Sequence, residues 1–346
     1  MKTGTTPLIA TNIAPPNIKR LAVFKGTRKL GIVDISNMRL PDDIGIKLYS
    51  IGALSDVHIG YDTADTDFQS ALTYLNDNAN VAFTCVCGDL TADGTAPQLS
   101  QYKAIVDSYS ADRPVHSIVG NHENYSNYAT TNPDYLMAYT GHPLYYSFTH
   151  GDDVYIMCGT YCWHEGNTQY EDRVFTQEYL QWLYGVLEEN RNKRCFVFEH
   201  VFPWGDSGNP ENLYSYNMAK GTLFEVFLSL LKHYKNTVLF HGHSHTKFNL
   251  QTLDKKANYS EVMGYRSVHI PSLAVPRDVN ESGSCDGEIY EQSEGYVIDI
   301  YSNHIVLRGM DFVRNEIIPI AQYCLDTTLQ PVDAGTYIDG TGTIET

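Results

Sequence analysis

Five apolar runs in this 346-residue chain, at 46–54, 81–86, 114–119, 194–198 and 237–240, each stop just short of side chains of the types that can ligate a metal. The first leads to Asp56 and His58, the second to Gly88 and Asp89, and the third to Gly120, Asn121, His122 and Glu123. The fourth leads to His200, and the fifth to Gly242, His243, Ser244 and His245. Runs of this length and composition read as buried strands. Between the first three, Phe68, Ala71, Leu72 and Leu75, then Leu99, Tyr102, Ile105, Val106 and Tyr109, recur at helical spacing, with Asp65 or Thr66 as the first helix's cap. A β-α-β-α-β rhythm demands parallel strands with helices packed on the sheet, and polar residues just past the strand ends then converge on one rim.

The rest of the chain extends this α/β pattern. Residues 145–148 and 154–157 read as paired strands, Thr176 as the cap of a helix carrying Tyr179, Leu180, Leu183 and Leu187, and 218–233 as a further helix. Residues 267–271, 296–300 and 304–308 alternate more strictly and are expected to be antiparallel. At the start, 21–24 and 30–35 flank a Gly-containing turn and read as a β-hairpin. The expected division is an N-terminal extension over 1–45, a main domain over 46–320 and a C-terminal tail over 321–346.

A hydrophobic content of 42% supplies a core, and no apolar run reaches the roughly 18 residues of a membrane span. Met1–Pro16 lacks the apolar stretch of a signal peptide, and the seven cysteines include no C-x-x-C pair. The expectation is a cytoplasmic-type protein with reduced core cysteines. The net charge of −17 argues against duplex nucleic acid as a partner. It does not argue against a small phosphate ester, because bound cations invert the field locally.

Carboxylate, amide oxygen and imidazole suit borderline divalent metals. Taken in order, D-x-H at Asp56, G-D at Gly88, G-N-H-E at Gly120, a lone His200 and G-H-x-H at Gly242 make a pattern that resembles the calcineurin-like metallophosphoesterases over roughly residues 50–315. The resemblance implies a two-sheet α/β sandwich with helices outside. It implies two divalent ions (Mn, Fe, Zn or Ni), one held by Asp56, His58, Asp89 and His245, the other by Asp89, Asn121, His200 and His243. It further implies hydrolysis of phosphomonoesters or phosphodiesters by a hydroxide that bridges the metals, with His122 assisting the leaving group. Glu123 either orients His122 or caps the next helix, and His241 packs behind the ligands. His164, Glu165 and Trp204 are candidates for substrate contact. His116 reads as core, while His142, His150, His233 and His304 read as surface or loop.

Departures narrow the branch. The run from Gly88 to Gly94 reads G-D-L-T-A-D-G, so Ala92 and Asp93 stand where the Ser/Thr protein phosphatases carry Asp and a phosphate-binding Arg. The tyrosine-ligand pattern of the purple acid phosphatases is also missing. The remaining match is the group of cyclic-nucleotide phosphodiesterases and other small-ester hydrolases. Two other readings stay open: a structural or phage-associated, virion-borne protein carrying such a domain, and a nuclease.

Overall fold

The computed structural model describes residues 20–25, 28–34, 40, 43–110, 113–126, 135–159, 175–201, 222–248, 258–261, 264–279, 285–289, 291–337 and 344–345. The chain opens on an antiparallel hairpin, β1 (Arg20–Lys25) and β2 (Arg28–Asp34). Then come β3 (Lys47–Leu54), β4 (Thr84–Cys87), β5 (Val115–Ile118), β6 (Tyr145–His150), β7 (Asp153–Cys158), β8 (Cys195–Glu199) and β9 (Thr237–His241). After these lie β10 (Tyr259–Ser260), β11 (Arg266–His269), a small ribbon of β12 (Arg277–Val279) and β13 (Cys285–Glu288), and β14 (Glu294–Tyr301), β15 (His304–Asp311) and β16 (Glu316–Asp326). The helices are α1 (Ala64–Thr73), α2 (Ala96–Tyr109), α3 (Tyr135–Thr140), α4 (Gln177–Glu189) and α5 (Thr222–His233).

Two six-stranded sheets carry the fold, one ordered β16-β15-β14-β3-β4-β5 and the other β10-β11-β9-β8-β7-β6. The strand alternation explains why they stack. Ile51, Ala53, Cys85, Cys87 and Ile118 from the first sheet meet Tyr155, Met157, Phe196, Phe198, Val238 and Phe240 from the second, all within one buried cluster. The intervening residues point the other way and are covered by helices. Leu54, Val86 and Val115 pack on Phe68 and Leu72 of α1 and on Leu99, Tyr102 and Ile105 of α2. Ile156, Val197 and Leu239 pack on Leu180 and Leu183 of α4 and Phe227 and Leu231 of α5. With both faces covered, the strands read as continuous apolar runs. This is the expected two-sheet sandwich with helices outside. Among the described residues no helix is long and apolar enough to cross a membrane.

Several local expectations change. The α1 helix starts at Ala64 behind Thr63, whose side chain makes no cap bond. The Thr66 hydroxyl instead donates to the Thr63 carbonyl (2.7 Å), and the Asp65 carboxylate accepts from Gln101 (2.9 Å). Thr176 does cap α4, accepting from the Tyr179 N–H. The β11 strand, expected among antiparallel partners, runs parallel to β9 and antiparallel only to the short β10. Alternation marks which face a residue occupies, and says nothing of the neighbour's direction. The β16 strand pairs with β15 through Asp326, past residue 320. His304, expected at the surface, is buried in β15. Beyond the sheet, β17 (Thr336–Tyr337) pairs with β18 (Ile344–Glu345).

Candidate metal centre

The polar residues behind β3, β4, β5, β8 and β9 gather at one end of the sandwich, because parallel strands send their C-terminal ends the same way. The backbone then bends sharply. Asp56 (φ 53°), His58 (φ 50°), Asp89 (φ 48°), His243 (φ 71°) and His245 (φ 57°) are all left-handed. Side chains avoid this region at a cost of about 1 kcal/mol or more each. Its concentration here means that the surrounding packing holds the bends. Gly88 (φ 81°) could not carry a side chain, since a Cβ would lie 2.5 Å from the His200 ring. Gly242 is needed for space alone: a Cβ there would overlap Ser55 Oγ and the Asp56 carboxylate.

Four of the ligand-type side chains, Asp56, Asp89, Asn121 and His200, are each tied to the protein at one atom and offer another to the centre. Asp56 Oδ2 accepts from Ser55 Oγ (2.6 Å) and the His243 N–H (3.0 Å). Asp89 Oδ1 accepts from the His122 N–H (2.9 Å). The Asn121 amide nitrogen donates to Tyr125 Oη (2.9 Å), and His200 Nδ1 donates to the Cys87 carbonyl (2.7 Å). The opposite atoms, Asp56 Oδ1, Asp89 Oδ2, Asn121 Oδ1 and His200 Nε2, are buried with no partner beyond the ligand set itself, His200 Nε2 lying 3.1 Å from Asp89 Oδ2. Such orphans are costly in an interior and mark a place for a ligand. Ligand atoms of Asp56, His58, Asp89 and His245 lie within 4.8 Å of one another, and so do those of Asp89, His200 and His243. His245 Nε2 is 3.0 Å from Asp56 Oδ1 and 2.9 Å from His58 Nε2. These two Asp/His groups, buried apart from the half-buried His243, fit divalent cations by donor type and by closeness.

The electrostatics agree. Burial alone would raise the Asp56 pKa, but His245 and His200 carry it well below the usual carboxylate range. Burial works the same way at Asp89, and His200 and His122 outweigh it. Burial lowers the pKa of His200, yet Asp89 and Asp56 outweigh it and push the value up to about 10. Burial and His245 hold His58 well below the ordinary imidazole value, and burial and His200 bring His243 down to about 3. Two carboxylates taken out of water demand positive charge. Without a cation, a proton on His200 partly supplies it.

The family model for calcineurin-like phosphoesterases matches residues 49–247, more than half of the chain. The chain belongs to the calcineurin-like phosphoesterase family. As such it is a phosphoesterase hydrolase, and its Asp/His groups are fit for a metal site. No curated protein matches it by sequence. Similar solved structures include GAP50, the anchor in the inner membrane complex of Plasmodium (14% identity, 83% of this chain and 90% of that one, TM-score 0.49). Vps29 of Cryptosporidium parvum (12%, 82% and 100%, TM-score 0.38) and the NAD nucleotidase NadN of Haemophilus influenzae (14%, 78% and 48%, TM-score 0.37) are also similar.

The other anticipated residues of this metallophosphoesterase fall into place unevenly. His122 stands at the edge of the centre, with Nε2 3.8 Å from Asp89 Oδ2 and a side chain 18% exposed, against 5% or less for His58, His200 and His245. Its Nδ1 is held by the Ala92 carbonyl (2.6 Å), so Glu123 does not orient it. Nor does Glu123 cap a helix by its carboxylate. One oxygen accepts from the Thr91 N–H (2.8 Å) and hydroxyl (2.9 Å), the other from the Gly120 N–H (2.8 Å), tying the loop behind β4 to the loop behind β5. Burial, then Asp89, pushes its pKa up to about 7. His241 is buried at the end of β9, its ring 5.5 Å from that of His269. His164, Glu165 and Trp204 lie outside the described residues.

Four supporting side chains escaped the sequence reading. His269 Nε2 donates to the Thr246 carbonyl (2.9 Å) and steadies the turn carrying His243 and His245. Ser272 Oγ donates to the Asp56 carbonyl (3.0 Å) from far along the chain. Tyr125 holds the Asn121 amide, and Tyr61 stacks on His58 with ring centres 5.0 Å apart. Tyr61 and Tyr125 sit three residues beyond His58 and His122, a nearness in sequence that carries no signal by itself.

Proposed function

We propose that the protein is a two-metal hydrolase of small phosphate monoesters or diesters. One divalent ion would be held by Asp56, His58, Asp89 and His245, the other by Asp89, Asn121, His200 and His243, with the Asp89 carboxylate shared. The observation that carries this reading is the set of four buried orphan atoms, each on a side chain anchored through its other polar atom. Mn, Fe, Zn and Ni all accept this mixture of nitrogen and oxygen. Bound divalent ions would supply a nucleophile at neutral pH and counter the phosphoryl charge.

The chain's own groups do the rest. Asn121 contributes a neutral oxygen, which limits the negative charge around the cations. Ala92 holds His122 through Nδ1, so Nε2 is the atom that carries a proton toward the leaving oxygen. Its partial exposure supports an approach of the substrate from that side. The net charge of −17 favours a small ester over a long polyanion. We assign the chemistry to the domain that runs from about residue 46 through the end of β16 at Asp326, whose Ala321 and Leu325 sit in the core between the sheets, and treat 1–45 and the residues past Asp326 as segments appended to it.

The test is to load the protein with Mn²⁺, measure its metal content, and assay p-nitrophenyl phosphate, bis-p-nitrophenyl phosphate and single-stranded DNA. Two ions per chain and turnover of at least one small ester are expected. Trace metal only, or turnover of DNA alone, overturns the reading.

A further inference from the structure

Four aromatic rings form a contact chain past the carboxylates. Tyr61 stacks on His58 (ring centres 5.0 Å, planes 20° apart), His58 meets His122 edge-on (4.5 Å, 81°), and His122 leans on Tyr125 (4.3 Å, 39°). The two outer rings are partly exposed, Tyr61 at 36% and Tyr125 at 44%, beside a centre whose ligands are buried apart from the half-buried His243. Among the described residues, neither ring belongs to the hydrophobic clusters that hold the sheets and helices together. Both are nevertheless fixed in place. The Tyr125 hydroxyl accepts from the Asn121 amide (2.9 Å), which pins the polar end of the ring. The Tyr61 N–H donates to the His58 carbonyl (3.0 Å), which fixes the turn that sets the ring beside the imidazole. Rigid, partly exposed tyrosines of this kind give contact area at little cost in side-chain entropy, and their faces prefer other aromatic rings.

His122 lies between them in the contact chain. A leaving group that takes its proton from His122 Nε2 departs next to both tyrosines. We propose that Tyr61 and Tyr125 form an aromatic seat for the leaving group, and that the natural substrate carries a planar aromatic or heteroaromatic group attached through its phosphate ester. This rests on the phosphoesterase reading, with His122 at the leaving oxygen. The seat makes the two tyrosines specificity-determining residues and leaves the hydrolytic step to the metal centre and His122.

Two matched pairs of esters isolate the seat. Benzyl phosphate and cyclohexylmethyl phosphate leave as alcohols of similar basicity and size, and only one carries a planar ring. Adenosine 5′-monophosphate and ribose 5-phosphate differ only by the heteroaromatic base. The Mn²⁺-loaded protein should favour the ring-bearing member of at least one pair in kcat/KM by about two- to tenfold per stacked ring. Which pair shows the preference tells an aryl group from a nucleobase. Tyr61→Leu and Tyr125→Leu should each shrink that ratio, and the double variant should bring it to about one. Tyr125→Phe should keep the ratio while losing the bond to Asn121, which separates the ring's face from its hydroxyl.

Binding gives a second readout that needs no turnover. Benzylphosphonate should bind the Mn²⁺-loaded protein more tightly than cyclohexylmethylphosphonate by calorimetry, Tyr61→Leu should shrink the difference, and the double variant should abolish it. Equal treatment of ring and non-ring partners in both ester pairs and in phosphonate binding overturns the seat, as does a preference that survives the double variant. A Tyr61-dependent phosphonate preference without hydrolysis of any ester would uphold the seat and refute the hydrolase reading.

Discussion

Glu123→Ala in metal-free protein tests whether one buried carboxylate holds two ligand-bearing loops together. Glu123 has no exposure to solvent and accepts three hydrogen bonds of 2.8–2.9 Å, from the Thr91 N–H, the Thr91 hydroxyl and the Gly120 N–H. Truncation leaves both N–H groups buried without an acceptor, while the hydroxyl can turn elsewhere. Each orphaned N–H costs about 1–3 kcal/mol, so the loss should be about 2–6 kcal/mol. At about 2 °C per kcal/mol in a large domain, the midpoint should fall by roughly 4–12 °C. Glu123→Gln keeps one acceptor oxygen and should lose about half as much. The assay is urea and thermal unfolding after chelation, because bound metal would otherwise stabilise the native state by mass action. Mn²⁺ titration of the same variants should then show weakened binding, since Asp89 and Asn121 ride on the two loops. A loss below about 1 kcal/mol for Glu123→Ala would refute the tether.

Three further outcomes follow from the geometry. Asp89→Ala should empty both metal positions, and His58→Ala mainly one, as read by elemental analysis; two tightly held ions in Asp89→Ala would contradict the shared carboxylate. His122→Ala should keep both ions and lose rate by about 10²–10⁴, most for alkoxide leaving groups and least for p-nitrophenolate; loss of metal, or a uniform rate loss across a leaving-group series, would give His122 another role. Glu294, buried in β14, has its carboxyl pushed from 4.5 up to about 8 by burial, despite the hydrogen bond it accepts from the Phe248 N–H (2.7 Å). Between those values the folded state keeps a proton that the unfolded chain has lost, so parent stability falls as pH rises through that window, by at most about 1.4 kcal/mol per pH unit. Glu294→Gln should therefore gain on the parent from about pH 4.5 and level off above about 8; parallel stability profiles would refute it.

The legible part of the site was its inventory and its order along the chain. Apolar runs followed at once by Asp, Asn or His put the ligand types at strand ends, and α2 and α4 appeared where their apolar spacing placed them. Glu123 shows where such reading stops. A glutamate two residues past a candidate ligand offers a helix cap or a partner for His122, and nothing in the local pattern points to Thr91 on another loop. Tyr61, Tyr125 and His269 were passed over for the same reason: each acts on a side chain or carbonyl that only the folded chain brings near.

By itself the amino-acid sequence determined the main strands and helices and the ligand types at the strand ends, because burial periodicity and ligand type are local properties of a strand or a turn, while the two-sheet sandwich was implied by the resemblance of the ordered motifs to a known family. Tertiary structure alone decided the direction of β11, the extent of β16 and the left-handed bends at Asp56, His58, Asp89, His243 and His245. It also decided which oxygen of each carboxylate is tied down and which faces the centre. Those outcomes depend on contacts between residues remote in sequence, such as Ser272 with the Asp56 carbonyl and Asp56 with the His243 N–H. Their energies exist only once both sheets have packed.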